Sequence, residues 1–297
     1  MIFINYYDEI KNELVNNEIT KKVKDYSKNR SDLTTYYNVG KLLSEAGKHY
    51  GEGIIKEYSK RLTNEFGTKF GITLLKRIRQ FYIVIEKGAT MSHQLSWSHY
   101  CELLPVNSID KINYYIKITK EQNLSIRELR TKIKNNDYER LDESTKEKIK
   151  EKEELKVPDL VKNPIQIKNT SGNNEISEKV LQKLILEDIP SFLDELGNGF
   201  TFVRNEYKIK IGDRYNYIDL LLFNYEFNCF VVVELKVSEL KKEHIGQIEF
   251  YMNYIDKNLK NINQNKTIGI IICKKENRYV IEYCSDDRII SREYELV

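Results

Sequence analysis

The spacing of hydrophobic residues changes halfway along the chain, and this change limits the possible folds more than any other feature. In the first half, apolar residues recur every three or four positions, as between Ile54 and Phe66, which predicts amphipathic helices. From Phe200 onward they alternate with polar residues or form short runs such as TIGIIIC (267–273), which predicts strands. We therefore predict an α+β chain of two domains: an all-α N-terminal domain, then an α/β domain with a mixed central sheet.

The domain boundaries follow from local composition. Residues 1–140 form the predicted helical domain, and residues 175–297 form the predicted α/β domain. The segment 141–174 contains the charged run KEKIKEKEELK, two prolines and the polar stretch NTSGNN, which together predict a charged linker. In the second domain the predicted elements are a helix over about 176–196, strands at 200–211, 215–223 and 229–236, a helix at 239–258, a strand at 267–273, a short helix and a strand at 292–296.

Composition excludes several classes of protein. No apolar run approaches the roughly 18 residues of a transmembrane helix, and the acidic N-terminal segment lacks the layout of a secretory signal. The four cysteines form no CxxC pair and the four histidines form no HExxH pattern, which argues against a zinc knuckle, a disulfide framework or a histidine-built metal site. We expect a cytoplasmic protein with reduced cysteines and no membrane contact.

Charge is distributed unevenly between the two halves. Residues 1–137 contain 23 Lys and Arg against 16 Asp and Glu, a net charge of +7, whereas residues 138–297 contain 25 against 29, a net charge of −4. A basic half beside an acidic half favours one part that meets a polyanion and another that holds cations. Chance scatter of charges over solvated surfaces is the alternative.

Three charged residues interrupt the apolar strands of the second domain. Asp219 lies in YIDLLLF, and both Glu234 and Lys236 lie at the end of FVVVELK. Because strand side chains alternate between faces, Glu234 and Lys236 point the same way. A charge within an apolar strand has a desolvation cost unless it is paired or bound to a metal. Three such charges on neighbouring strands therefore predict a shared site.

This set of residues suits metal-dependent phosphodiester hydrolysis. Asp219 and Glu234 offer hard oxygen ligands, and the carbonyl of Leu235 offers another. A bound metal lowers the pKa of its water and neutralises charge that develops on the phosphate, while the Lys236 ammonium orients the water or stabilises the transition state. The alternative is that Asp219 begins or ends a strand and that Glu234 and Lys236 form an ordinary surface pair.

The second domain resembles the PD-(D/E)xK nuclease core found in many restriction enzymes and Holliday-junction resolvases. The resemblance rests on IDLLLF followed by VVVELK, and on Gln247 and Tyr251, which are similar to the QxxxY element of RecB-like members. It implies a restriction-endonuclease-like fold in which Gln247 and Tyr251 support the site or contact substrate. It also implies an additional acid from an upstream helix, for which Glu195 in FLDELG is the candidate and Glu206 a competitor.

Longer segments resemble the prokaryotic YhcG family of predicted nucleases. ELGNGFTFVRNEYKIKIGDRYNYIDLLLF and HIGQIEFYMNYID carry the resemblance in the second domain, and TNEFGTKFGITLLKRIRQFY, LSWSHYCELL and SIRELRTKI carry it in the first. The family more often has glutamine at position 206, so Glu195 is favoured over Glu206. The implied catalytic residues are Asp219, Glu234, Lys236, Glu195, Gln247 and Tyr251, with Asp219, Glu234 and Glu195 at the metal.

The resemblance implies a DNA endonuclease that uses Mg²⁺ or Mn²⁺, in a phage, mobile-element or defence setting. Analogy with duplex-cutting nucleases of this fold leaves a homodimer open, as well as an additional protein partner. Two other readings also stay open: a nuclease fold that binds DNA structures or a partner without cutting, and a nuclease that cleaves RNA.

The first domain contains a helix, a tight turn and a second helix between Ile54 and Glu86. This layout predicts a helix-turn-helix-like element, and its basic residues predict contacts with nucleic-acid phosphates. An ordinary helical hairpin with a solvated basic face is the alternative. We expect Trp97 and Tyr100 to anchor the core of this domain, and we assign no catalytic role to His99. The predicted nucleic-acid-binding residues are Lys69, Lys76, Arg77 and Arg79.

Overall fold

A computed structural model describes residues 6–23, 28–151, 153–170, 172, 175–284 and 286–297. The chain divides into two compact units, Met1–Tyr138 and Glu139–Val297. All four cysteines are free. Among the described residues, no helix has the length and apolar character needed to cross a membrane.

The first unit is helical, as the three- and four-residue spacing predicts. Its N-terminal helices pack around a core that includes Ile10, Leu43, Leu62 and Ile78. Gly40 lets the second and fourth helices approach closely, because an added Cβ would lie 2.5 Å from the Ile78 carbonyl oxygen. The helices are α1 (Tyr6–Val23), α2 (Lys28–Tyr50), α3 (Ile54–Phe66), α4 (Ile72–Glu86), α5 (Trp97–Leu103), α6 (Ile109–Glu121) and α7 (Ile126–Lys134).

Local sequence signals fix several of these helix ends. Gly67 ends α3 in the left-handed region, at φ 79°, and a single 3₁₀ turn over Thr68–Phe70 leads into α4. This confirms the predicted sequence of helix, tight turn and helix. Ser125 and Glu128, three residues apart in the sequence, form a capping box at the start of α7, which satisfies backbone N–H groups that have no partner within the helix.

The second unit combines helices with one sheet. Its helices are α8 (Glu143–Glu151), α9 (Val157–Leu160), α10 (Glu178–Glu187), α11 (Ile189–Leu196), α12 (Lys242–Asn258) and α13 (Arg278–Glu282). Its strands are β1 (Ile165–Ile167), β2 (Phe200–Ile211), β3 (Arg214–Asn224), β4 (Cys229–Glu239), β5 (Asn265–Lys275) and β6 (Ile289–Leu296).

The described strands form a mixed sheet in the order β1-β6-β5-β4-β3-β2. The β2–β3 and β3–β4 pairs are antiparallel, while the β4–β5, β5–β6 and β1–β6 pairs are parallel. β4 lies in the middle of this order and is buried along most of its length, as its Val-Val-Val centre predicts. The predicted mixed central sheet is therefore confirmed.

Helices cover both faces of the sheet and enclose two apolar layers. On one face, α10 and α11 pack against β3, β4 and β5, and the layer includes Leu184, Phe192 and Val233. On the other face, α12 contributes Ile248 and Met252. Gly269 in β5 lets α12 approach, because an added Cβ would lie 2.6 Å from the Met252 sulfur. As a result, β3 and β4 lie between α10 on one face of the sheet and α12 on the other.

Two predicted elements differ from the structure. The single helix over 176–196 is wrong, because Asp188 leaves helical geometry, ends α10 and caps α11, while Pro190 in the first turn cannot continue a helix. The segment 141–174, predicted as a linker, contains α8, α9 and β1, and it belongs to the second unit. β1 is only three residues long and pairs with β6, so local alternation gives little sign of it. Residues 152, 171, 173 and 174 of this segment lie outside the described residues.

Candidate active site

The register of β3 and β4 brings the two predicted metal-binding carboxylates together. Leu220 pairs with Val233 in an antiparallel ladder, so the next positions along the strands, Asp219 and Glu234, lie opposite each other. One carboxylate oxygen of Asp219 accepts a hydrogen bond from the backbone N–H of Leu235, at 2.8 Å. This bond ties Asp219 to the strand that carries the other charged residues.

Glu234 and Lys236 lie on the same side of β4 and form an ion pair. The Lys236 Nζ is 3.2 Å from Glu234 Oε2. The Glu234 residue is only 1% exposed, and its other oxygen, Oε1, is buried with no hydrogen-bond partner among the described residues. Burial, together with the nearby charge of Asp219, raises the pKa of Glu234 to about 8. The unpaired Oε1 is therefore the atom open to a cation, whose positive charge would favour the ionised form of Glu234.

The neighbouring groups respond to the same charges. Burial raises the pKa of Asp219 above its ordinary value. Burial alone would lower the pKa of Lys236, but the negative charges of Glu234, Glu178 and Asp219 together raise it. Lys236 therefore keeps its positive charge although it is largely buried.

Glu178 is an acidic neighbour of the site that was not among the predicted residues. It lies in the first turn of α10, directly after the N-cap Ser177, and its Oε2 is 3.7 Å from Lys236 Nζ. Its negative charge also contributes to the raised pKa of Asp219. On the same helix, the Gln182 amide donates a hydrogen bond to the Asp219 carbonyl at 3.0 Å. The sequence signal for Glu178 is its place directly after Ser177, a residue type that often caps helices.

Glu195, the predicted helix acid, has a different set of partners. Arg140 contacts both of its oxygens, Lys162 Nζ lies 3.4 Å from Oε1, and the Gln166 backbone N–H donates to Oε2 at 2.9 Å. Although burial opposes ionisation, these donors and positive charges lower the pKa of Glu195. Each oxygen is thus already occupied by protein donors, and the structure does not bring Glu195 into the Asp219–Glu234–Lys236 group.

Glu206, the competing candidate, lies on β2. The pairs Asn205–Leu220 and Tyr207–Ile218 place it opposite Asp219. Its backbone has a positive φ of 45°, and its side chain is exposed. Its charge is close enough to contribute to the raised pKa of Asp219.

Gln247 and Tyr251 lie one turn apart on α12, on the same face of the helix. The Gln247 side-chain amide donates to the Tyr251 hydroxyl at 3.3 Å. Burial raises the pKa of Tyr251, and the charges of Glu234 and Asp219 add to this effect. Tyr251 therefore lies close enough to the two carboxylates to respond to their charge, and Gln247 is hydrogen-bonded to it.

The donor atoms fit a hard divalent cation. Among the described residues, no group of three or more His, Cys, Asp or Glu side chains is arranged to hold a metal ion. Two carboxylates from Asp219 and Glu234 are nevertheless a sufficient protein contribution for Mg²⁺, which usually keeps several waters and uses substrate phosphates as further ligands. The buried, unpaired Oε1 of Glu234 is the structural observation that supports such a cation.

The predicted basic residues of the helical unit divide into two kinds. Lys69 forms an ion pair with Glu18 at 3.0 Å, and Arg79 makes a two-point contact with the Glu52 carboxylate. Lys76 and Arg77 lie on the exposed side of α4. These last two residues have the accessibility that contact with a phosphate backbone requires.

Trp97, Tyr100 and His99 have structural environments. Trp97 packs on Tyr36, with ring centroids 4.6 Å apart, and Tyr100 is buried, so both belong to the core as predicted. The ring nitrogens of His99 contact Ser96 and the carbonyl oxygen of Leu124. These contacts hold His99 in the cap of α5.

Comparison with known proteins identifies both halves of the chain. Residues 158–296 match the YhcG PDDEXK nuclease domain, and residues 9–140 match the DUF1016 N-terminal domain. The Escherichia coli (strain K12) protein named "Putative nuclease YhcG" is 24% identical over an alignment of 330 positions, gaps included, which covers 95% of this chain and 88% of that protein. The chain therefore contains a nuclease domain of the PD-(D/E)xK class. It belongs to the YhcG-like family, in which a helical N-terminal domain precedes that nuclease domain.

Two solved structures are also similar to this chain. They are a repair endonuclease from Pyrococcus abyssi and an EndoMS-dsDNA2 complex, each 18% identical, with a TM-score of 0.29. The first match covers 43% of this chain and 49% of the solved chain, and the second covers 43% and 48%. This chain thus spans about half the length of each solved chain.

Proposed function

We propose that this protein is an endonuclease that hydrolyses DNA phosphodiester bonds with a divalent cation, Mg²⁺ or Mn²⁺. The observation that carries the proposal is Glu234, a carboxylate fixed in the apolar centre of the sheet with one oxygen unpaired. Such a group is costly to bury as an anion. Asp219 lies opposite Glu234 and Lys236 lies beside it. Together the three residues form a site for a cation and a phosphate, which would offset the desolvation cost of Glu234.

The residues of this chain divide the work by position. Asp219 and Glu234 would hold the cation, which when bound supplies Lewis-acid chemistry by acidifying a water and neutralising phosphate charge. Lys236 keeps its proton and places a positive charge within 3.2 Å of Glu234, where it stabilises an anionic phosphate or orients the attacking water. The hydrogen bond from Leu235 N–H holds the Asp219 carboxylate in position.

Residues around the site set the position of these groups. Glu178 pairs with Lys236 from the α10 side, so it limits the positions available to the ammonium. Gln247 and Tyr251 present an amide and a hydroxyl from the α12 side. In the helical unit, Lys76 and Arg77 would contact phosphates of the DNA backbone.

Cleavage assays test the proposal directly. Supercoiled, linear, branched and single-stranded DNA, with RNA of the same sequence, would be incubated with the full chain in Mg²⁺ or in EDTA. We expect cutting of DNA in Mg²⁺ alone, and its loss in the Asp219→Ala and Lys236→Ala variants. Asp287→Ala and Lys257→Ala change exposed residues of the same types and should cut like the wild type.

Cation binding provides a second readout that is independent of activity. Titration calorimetry with Mn²⁺ should detect binding to the wild type and to Asp287→Ala, and weak or no binding to Asp219→Ala. DNA binding without cutting in every condition, with Mn²⁺ binding absent from the wild type, would refute the enzymatic proposal. RNA cleavage with DNA left intact would refute the assignment of DNA.

A further inference from the structure

The β2–β3 hairpin continues past the point where β3 stops pairing with β4. β2 and β3 pair along their whole length, from Phe200 with Asn224 to Ile211 with Arg214. β4, in contrast, pairs with β3 only from Leu220 onward. Residues 206–219 therefore form a two-stranded arm that lies beyond the β3–β4 ladder, and Asp219 is at its base.

The two faces of this arm differ sharply in composition. One face carries Ile209 and Ile218, which are fully buried in the layer under α12. The opposite face carries Lys208, Lys210, Tyr215 and Tyr217, all of which are exposed. Tyr215 is 52% exposed and Tyr217 is 51% exposed, which is high for residues with large aromatic rings.

The exposed face alternates lysine and tyrosine across the two strands. Lys208 lies opposite Tyr217, and Lys210 lies opposite Tyr215. The Lys208 ammonium is 3.7 Å from the centroid of the Tyr215 ring, so the lysine orients the ring while the ring stays half exposed. Aromatic rings interleaved with positive charges are the combination that binds an unpaired nucleic-acid strand, with bases on the rings and phosphates on the lysines.

The position and spacing of the rings agree with this use. Tyr217 is two residues from Asp219 in the sequence, and Glu206, at the base of the same face, is close enough to influence the pKa of Asp219. Alternate residues of a strand lie about 6.6 Å apart. This is about twice the 3.4 Å spacing of successive nucleotides along one strand of a duplex, so one base fits between the rings of Tyr215 and Tyr217.

We infer that the exposed face of this hairpin, formed by Lys208, Lys210, Tyr215 and Tyr217, binds an unpaired DNA strand and leads it toward Asp219. The inference rests on the proposed nuclease function, because it names the form of substrate that the same site receives. Lysines on an edge strand also discourage aggregation through the exposed backbone. That role requires no exposed tyrosines, so the rings are the part that separates the two explanations.

Binding assays in EDTA, where no cleavage occurs, test the inference on the full chain. Fluorescence anisotropy would measure the Kd for a labelled single strand and for a duplex of the same sequence. We expect Tyr215→Ala/Tyr217→Ala to weaken single-strand binding at least about tenfold, since each base–ring stack makes a large contribution to affinity. Tyr215→Phe/Tyr217→Phe keeps both rings and should bind within about twofold of wild type, and duplex binding should change little in either variant.

The lysines give a separate readout through salt dependence. Lys208→Gln/Lys210→Gln should reduce the slope of log Kd against log salt by about 1.4 for the single strand, at about 0.7 per phosphate contact. Lys257→Gln/Lys266→Gln removes the same charge from exposed residues near the start of β5, at the opposite end of the sheet from Glu234. This control should keep the wild-type slope.

Photocrosslinking provides a positive signal that does not depend on loss of affinity. A strand that contains 5-bromouracil should crosslink to Tyr215 or Tyr217, as located by mass spectrometry of the digested protein. Equal single-strand binding by wild type and Tyr215→Ala/Tyr217→Ala, or crosslinks only at other sites, would overturn the inference. The Asp219→Ala variant separates the two proposals, because it should lose cleavage while its single-strand binding and crosslinks persist.

Discussion

Two glutamates of the second unit are both buried, but their hydrogen-bond partners and neighbouring charges differ. Glu195 is 6% exposed and Glu234 is 1% exposed. The oxygens of Glu195 contact Arg140, Lys162 and a backbone N–H, and its pKa is lowered. Glu234 has one lysine partner, one unpaired oxygen and a pKa raised to about 8. Burial alone therefore does not distinguish a structural carboxylate from a functional one; the completeness of its partners does.

The physical reason is the balance between desolvation and compensation. A buried anion is tolerated when donors and positive charges replace its lost hydration, as they do around Glu195. Such a group joins distant segments, here α11 with residues 140 to 166, and has no capacity left for a ligand. Around Glu234 the compensation is incomplete, so a ligand with positive charge has the most to gain there.

The largest expected effect is the loss of catalysis when Glu234 is replaced. Glu234→Gln removes the charge with almost no change in shape, and we expect cleavage in Mg²⁺ to fall by about 10³-fold or more, in line with the several kcal/mol that metal-assisted chemistry contributes. Thermal stability in EDTA should not fall, since a poorly compensated buried group is replaced by a neutral one. Initial rates and melting curves of the same preparation measure both quantities.

The opposite pattern is expected at Glu195. Glu195→Gln leaves Arg140 and Lys162 buried without their counter-charge, which should reduce the free energy of unfolding by about 3–5 kcal/mol. Denaturant titration measures this loss. Glu187→Gln, which removes an exposed partner of Lys183, should cost only about 0.5 kcal/mol. Loss of cleavage in a folded Glu195→Gln protein, without loss of stability, would instead return Glu195 to the catalytic site.

The two glutamates should also give stability opposite pH dependences. The folded pKa of Glu195 is lowered, so its contribution is complete above the unfolded value of about 4.3 and is lost as pH falls through the folded pKa. The folded pKa of Glu234 is raised to about 8, so its contribution is complete below the unfolded value and is lost as pH rises through about 8.

The free energy of unfolding, measured in EDTA between about pH 3 and about pH 9, tests both predicted pH dependences. This range brackets both transitions. Between the unfolded value and about pH 8, Glu234→Gln should remove a downward slope of at most about 1.4 kcal/mol per pH unit. Glu195→Gln should differ most from wild type at neutral pH and converge with it in acid. Identical pH profiles for wild type and Glu234→Gln would show that Glu234 is ionised in the folded protein without a cation.

The smallest expected effect is on DNA binding by the helical unit, which also contains both basic residues that are paired with an acid and basic residues on an exposed helix face. Lys76→Gln/Arg77→Gln should weaken DNA binding several-fold and reduce the salt slope by about 0.9 per lost phosphate contact. Lys69→Gln, whose side chain pairs with Glu18, should have less effect. Equal salt slopes for wild type and the double variant would exclude this face of α4 from phosphate contact.

Much of the fold could be predicted because each element has a local cause. The Ser125 capping box, the Gly67 helix end and the buried Val-Val-Val strand follow from nearby residues alone. The break at Asp188 also has a local signal in Pro190, which the apolar periodicity on both sides obscured. β1 had no such signal, since three residues carry too little pattern and its pairing with β6 joins positions far apart in the chain.

The candidate site shows the same division. The sequence by itself determined that Asp219, Glu234 and Lys236 would share a site, because strand alternation and consecutive antiparallel pairing place them together. It also determined that Gln247 and Tyr251 would lie on one helical face. Only the tertiary structure decided which helix acid is close to Lys236. Glu178 and Glu195 are both acids on helices before the sheet, and their roles differ because α10 begins beside β4, whereas α11 meets the buried cations Arg140 and Lys162.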